Sequence, residues 1–189
     1  FYDDYGHHPT EVKATIEASR MQFPSSRLWV VFQPHTYSRL SELFDGFVSA
    51  LEAADLVILT PVFGAREKEP MNIKEPMNIN EPMNMKEPNM KSSVAYMTHE
   101  DLGASMQHPS VICTDSLEDT VDRMMDELER AGWIDEEWDD NNDSEKAEDE
   151  ICGGVRKDSE LVVLMIGAGD INRLGPQLMK RLKGTGIGS

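Results

Sequence analysis

Residues 27–39 read RLWVVFQPHTYSR. After Arg27 the apolar residues run without alternation to Phe32, as in a strand covered on both faces. Gln33 to Arg39 then form a polar turn, and Leu40, Leu43, Phe44, Phe47, Val48 and Leu51 fall at helical spacing. That spacing predicts one amphipathic helix along the whole stripe. A second apolar strand, Asp55 to Thr60, comes next and is closed by Pro61. Strand, polar turn, helix, strand is the unit from which parallel sheets are built.

The same alternation extends in both directions. Upstream, Pro9 suits the first turn of a helix, where its missing N–H costs nothing, and Glu11 suits the positive end of the helix dipole. Val12, Ile16 and Ser19 mark one face of that helix, which stops before Pro24. The stretch before it, DDYGHHP, sits where a strand should just have ended. The expectation is that this strand lies upstream of Phe1 and that the chain is cut from something longer. Downstream, Thr98 and Asp101 have capping-box spacing at the start of a helix reaching Met106. Ser110 to Thr114 is a strand. Ser116 caps a helix carrying Leu117, Val121, Met124, Met125 and Leu128, which ends near Gly132. Glu160 to Ile166, ELVVLMI, is a strong strand, and Gly167-Ala168-Gly169-Asp170 turns it into a helix with Ile171, Leu174, Leu178 and Leu182.

The predicted class is therefore α/β: a mostly parallel, Rossmann-like sheet with helices on both faces, in a single domain over residues 1–189. Right-handed crossovers carry every strand's carboxyl end to one edge, where ligands gather in such sheets. The segments DDYGHHP, QPHTYSR, GARE and GAGD would line that edge.

Two stretches interrupt the pattern. Residues 68–91 repeat KEPMNI with a period of six, and a Pro in every copy forbids regular helix and central strand. They read as a flexible surface insertion. Residues 133–153 read as an acidic, solvated loop, because like charges in a run repel one another. That loop and the helix before it carry most of the net charge of −17: residues 115–150 hold 17 of the 35 acids and only Arg123, Arg130 and Lys146 of the 18 bases. The charge argues against a nucleic-acid partner, whose phosphates want a basic face. No run of about 18 apolar residues spans a membrane. Cys113 and Cys152 have neither metal nor redox spacing, which suits reduced thiols in a cytoplasmic setting.

As chemistry, the edge segments offer Asp4 to accept ribose hydroxyls and Tyr5 to stack on a base. His7, His35 and Arg39 offer donors to an anion, the Arg fork matching a carboxylate or phosphate. Gly167 and Gly169 would let backbone approach a ligand at a helix N-terminus, although Asn172 stands where a dinucleotide fingerprint needs its third glycine. No GxSxG, HExxH or GxxxxGK[ST] occurs, so the chain carries no phosphate-cradling loop of its own.

DDYGHHPTE, then about thirty residues on FQPHTYSR, then ADLVILTPVFGARE and ELVVLMIGAGDI, together resemble the C-terminal domain of the Mur ligases, and its alanine-adding branch most. The likeness covers residues 1–66 and 160–183, with the repeat and the acidic run as additions. The resemblance implies an ATP- and Mg2+-dependent ligase of peptidoglycan synthesis. It would join L-alanine to UDP-N-acetylmuramate through an acyl phosphate, with ATP and metal held mainly by a central P-loop domain not contained here. It implies nucleotide contacts for Asp4 and Tyr5 and amino-acid contacts for His7, His35 and Arg39, with no catalytic or metal-ligating residue on this chain. The chain alone would be inactive. Two alternatives stay open. One is a murein-recycling ligase that adds a ready-made peptide, although such enzymes usually carry Phe-Ala where this chain has Tyr5-Gly6. The other is a non-catalytic binding module derived from the family. An organellar stroma is conceivable for a eukaryotic source.

Overall fold

The computed structural model describes residues 1–67, 96–108, 110–134 and 160–184. The hexapeptide repeat, all of the acidic run beyond Ile134, and Cys152 lie outside the described residues. Among the described residues five strands form one parallel sheet: β1 (Tyr2–Asp4), β2 (Arg27–Gln33), β3 (Leu56–Leu59), β4 (Val111–Cys113) and β5 (Leu161–Gly167), in the order β1-β5-β2-β3-β4. The helices are α1 (Pro9–Gln22), α2 (Tyr37–Glu42), α3 (Phe44–Leu51), α4 (His99–Ser105), α5 (Leu117–Arg130) and α6 (Leu174–Gly184), the last entered through a 3₁₀ turn at Ile171–Arg173.

The two-residue period of β2 explains its unbroken apolar sequence. Leu28, Val30 and Phe32 face a core shared with Val12 and Ile16 of α1, Leu40 of α2, Phe47 and Leu51 of α3 and Leu102 of α4. Trp29 and Val31 face the opposite core, with Met124 and Leu128 of α5 and Leu174 and Leu178 of α6. The sheet is thus covered on both faces, and its interior strands have no polar side to show. Each large aliphatic side chain buried here is worth about 1.5–3 kcal/mol relative to exposure.

Two expectations are corrected. The strand before the histidine turn is present in the chain: Tyr2–Asp4, the first residues of DDYGHHP included, pairs with β5 through Tyr2↔Leu164 and Asp4↔Ile166. As an edge strand with exposed side chains it needs no apolar run, and its two acids hide it from hydropathy reading. The stripe from Leu40 to Leu51 is not one helix. Leu43, at φ −112° and ψ 21°, divides it into α2 and α3. Both pieces bury the same face, so the apolar spacing runs through the break. The second lies so close to α1 that a Cβ on Gly46 would stand 3.0 Å from the Pro9 ring.

Away from the carboxyl edge, Arg20 ties α1 to the loops around β2 and β3. It donates to the Ala53 and Ser26 carbonyls and pairs with Asp55 at 2.8 Å, while Asp55 accepts the Leu28 N–H. This network clamps the amino edge of the sheet and leaves the carboxyl edge to function.

Candidate functional site

The carboxyl ends of β1, β2, β3 and β5 bring the polar segments together as the topology requires. After β1, His8 caps α1 by accepting the Thr10 N–H at 3.3 Å, and the Glu11 carboxylate accepts the N–H groups of His7 and His8 at 3.0 and 3.1 Å. Those amides, His7's first, hold the Glu11 carboxyl below its ordinary value. The second His of the pair is therefore a helix cap, and the first is held over the edge of the sheet. Gly6 lets that turn lie close to the sheet, since a Cβ there would fall 2.8 Å from the Ile166 side chain, which would have to shift.

His7, His35 and Arg39 come together. The ring centroids of His7 and Tyr5 are 5.5 Å apart, and those of His7 and His35 are 6.4 Å apart. Arg39 Nη1 lies 3.2 Å from His35 Nδ1. A guanidinium can only donate, so His35 Nδ1 accepts and its proton sits on Nε2. Burial, then the neighbouring Arg39 and His7, push the His35 pKa down, with Glu67 opposing. A neutral imidazole is what this hydrogen bond needs. His7 has the complementary arrangement. Its Nδ1 faces two acceptors, the Tyr5 carbonyl at 3.3 Å and the Glu11 carboxylate at 3.4 Å, so the proton belongs on Nδ1. Side by side, the two rings offer a donor on His35 Nε2 and, when His7 is neutral, an acceptor on His7 Nε2. The guanidinium adds a fixed positive charge.

Asp4 and Tyr5 differ in their freedom. Tyr5 is 69% exposed, and its ring is open to stacking. Asp4 is engaged with its own turn and with α1: Oδ1 accepts the Tyr5 N–H at 2.9 Å and Oδ2 the Thr15 hydroxyl. A carboxylate has about four acceptor sites, so two remain for a diol. The residues present thus fit a ribose and base edge. They offer no cradle for a triphosphate, and the described residues bring together no three His, Cys, Asp or Glu able to hold a metal.

At the end of the last strand, the direction in which Gly167 and Gly169 would carry a side chain is occupied by protein. A Cβ at Gly167 would stand 2.9 Å from the Gln33 carbonyl oxygen, and one at Gly169 would overlap Gln33 Oε1 and stand 2.5 Å from Phe63 Cγ. The clearance is filled by protein. Gln33, only 3% exposed, is a structural residue of the rim whose role the motif QPHTYSR does not announce. Its Nε2 donates to Asp170 at 2.8 Å and its Oε1 accepts the Ile171 N–H at 3.0 Å, so it fastens the entry of α6 to the end of β2. The available signal was a polar residue closing an apolar strand. Gln33→Ala strips the buried Ile171 N–H of its acceptor and is expected to cost about 1.5 kcal/mol, measured by urea denaturation.

Phe63 completes the edge. It packs on His35 with ring centroids 5.7 Å apart, pairs with His35 as a parallel bridge, and exchanges backbone hydrogen bonds with Pro34 and Thr36. Beside it opens a cleft of about 470 Å3 bordered by Gln33, Tyr37, Phe63, Glu67, Ser116 and Asp170. The segments beginning at Asp4, Gln33 and Gly167 thus converge on one rim, as expected.

A sequence model described as "Mur ligase, glutamate ligase domain" matches residues 1–129. The chain belongs to the Mur ligase family. Among curated Mur ligases, the UDP-N-acetylmuramate–L-alanine ligase of Hydrogenovibrio crunogenus is 60% identical over 65 residues, covering 34% of this chain and 14% of that protein. The enzyme of the same name from Pediococcus pentosaceus is 52% identical over 67 residues, covering 35% of this chain and 15% of that protein. The chain thus spans about 15% of the length of the curated relatives it matches. A solved UDP-N-acetylmuramate–alanine ligase from Thermotoga maritima aligns over 96% of this chain and 26% of its own, at 20% identity and a TM-score of 0.48.

Proposed function

We propose that this chain is the amino-acid-delivering, nucleotide-closing domain of an ATP-dependent UDP-N-acetylmuramate–L-alanine ligase of cytoplasmic peptidoglycan synthesis. The observation that carries the reading is the meeting of His7, His35 and Arg39 on one rim, with a neutral, tautomer-fixed His35 against the guanidinium. An α-amino acid has a carboxylate and an amine on adjacent atoms. Arg39 would hold the carboxylate through its planar fork. The two histidines would border the amine, His7 Nε2 as acceptor, so that it meets its electrophile in one orientation. Asp4 would take the ribose hydroxyls of ATP and Tyr5 would lie beside its base. ATP, when bound, supplies the phosphoryl group that activates the muramoyl carboxylate. Its phosphates and Mg2+ would be held by a further, P-loop-bearing domain. The repeat at 68–91 and the acidic run at 133–153 are read as additions to this one domain.

The recycling alternative would usually have Phe-Ala where Tyr5-Gly6 stand, a difference that favours the alanine-adding reading. The test is phosphate release with ATP and UDP-N-acetylmuramate. The longer protein encoded around this chain is expected to turn over with L-alanine and not with a preformed peptide. The 189-residue chain alone is expected to stay at background. Turnover with peptide alone would reassign the protein, and release by the isolated chain would sink the division of labour. A stop codon and start Met just upstream of Phe1 would instead favour a binding module.

A further inference from the structure

Arg39 is carried by a helix that is poorly begun. Thr36, the N-cap of α2, makes no side-chain capping bond and sits at φ 62°, ψ 139°, a conformation that a branched L-residue adopts only when its surroundings hold it there. The holding comes from the segment after β3. Phe63 O accepts the Thr36 N–H at 2.9 Å, and the Phe63 N–H donates to Pro34 O at 2.8 Å. The chain then turns through Gly64 and Ala65 (φ 54°), closed by the Glu67 N–H to Gly64 O at 2.8 Å. The turn delivers the Glu67 carboxylate to the start of α2, where it accepts the Ser38 N–H at 3.1 Å and the Ser38 hydroxyl. The cap that Thr36 fails to supply is thus provided by another loop. Ser38 adjoins Arg39, and one turn back Arg39 meets His35.

We infer that Glu67 is a positioning residue for the amino-acid site: by capping α2 from outside through Ser38, it fixes the strained Thr36 backbone and aims the Arg39 guanidinium. Burial by itself pushes the Glu67 carboxyl up, but the Ser38 hydroxyl and amide and the Tyr37 amide more than reverse it, so the group is ionised and accepts at both oxygens. Gln at this position loses the charge and puts an NH2 donor in place of one oxygen, so the two charge-assisted bonds, one to each oxygen, are not reproduced. The inference rests on the function proposed above for Arg39.

The test has one arm in the longer ligase and one in this chain. In the ligase, Glu67→Gln is expected to raise the KM for L-alanine about tenfold, with kcat within about threefold and the KM for ATP unmoved. Ser38→Ala should act in the same direction, and the double variant should be no worse than Glu67→Gln alone, because both cut one connection. A merely structural Glu67 would lower stability without singling out the amino acid. In the 189-residue chain, 15N NMR reads the Arg39 Nε–H and the His35 ring. The charges around that ring are Arg39, His7 and Glu67, so removing Glu67 is expected to move its titration midpoint further down and to shift the Arg39 signal. An unchanged L-alanine KM, or additive effects of the two substitutions, overturns the inference. A ligase that never uses L-alanine overturns the functional reading instead, and then the NMR arm decides: Arg39 and His35 signals unmoved by Glu67→Gln sink the positioning role.

Discussion

Replacing Arg39 by Ala in the proposed ligase is expected to raise the KM for L-alanine about 100-fold while the KM for ATP stays within about twofold. Two charge-assisted hydrogen bonds to a carboxylate are together worth about 3 kcal/mol, and about 1.4 kcal/mol is a factor of ten. The substitution also removes the donor to His35 Nδ1. That ring can then change tautomer, which adds a loss in kcat. Arg39→Lys separates charge from fork: it keeps the positive end but loses the planar pair of donors, so it should recover only part of the loss. The check is steady-state kinetics with L-alanine varied at saturating ATP and UDP-sugar. Equal KM values for Arg39→Ala and the unsubstituted enzyme would remove the amino acid from this rim.

Gly169→Ala is expected to be the most damaging single-methyl change on the rim. The new Cβ would overlap Gln33 Oε1 and two atoms of Phe63, all within 2.7 Å. Gln33 cannot retreat without dropping the Ile171 N–H and Asp170, and Phe63 cannot retreat without pulling on His35 and on the Pro34 and Thr36 backbone. Overpacking of this kind costs about 3 kcal/mol. For a domain of this size that lowers Tm by roughly 6–12 °C. Scanning calorimetry on the chain measures it. Gly175→Ala is the comparison, since a Cβ there first meets the flexible end of Met165 at 3.3 Å and should be tolerated. Equal midpoints for the two variants would contradict the packing described.

The interior of the sheet was legible because burial on both faces leaves a plain mark. RLWVVF and ELVVLMI have no polar side, and their strands sit third and second in the sheet. The edge strand at Tyr2–Asp4 left no such mark, since solvent covers it and acids are free to occupy it. The break at Leu43 was invisible for a different reason. Apolar spacing reports which face is buried, and α2 and α3 bury the same one. Among the site residues, His7, His35 and Arg39 stood in a motif whose parallel-sheet setting predicted their meeting. Gln33, Glu67 and Asp170 were in view as residues of those same segments. Their work is done through contacts across the chain, Gln33 with Asp170 and Ile171, and Glu67 with Ser38. No local pattern announces a bond between residues 137 positions apart. The glycines of GAGD mislead in the same way: small residues mark a close approach, and the groups that approach here are Gln33 and Phe63.

The order β1-β5-β2-β3-β4 places the last strand between the first and the second. While a ribosome is still making the chain, Tyr2–Asp4 therefore has no neighbour to bind, and the histidine turn behind it has no wall. Such long-range closure is intrinsically slow, because the loop entropy falls due before any contact rewards it. Any product of premature termination before Leu161 would carry every residue of the motif Asp4 to Arg39 and still lack the slot in which that motif becomes a site.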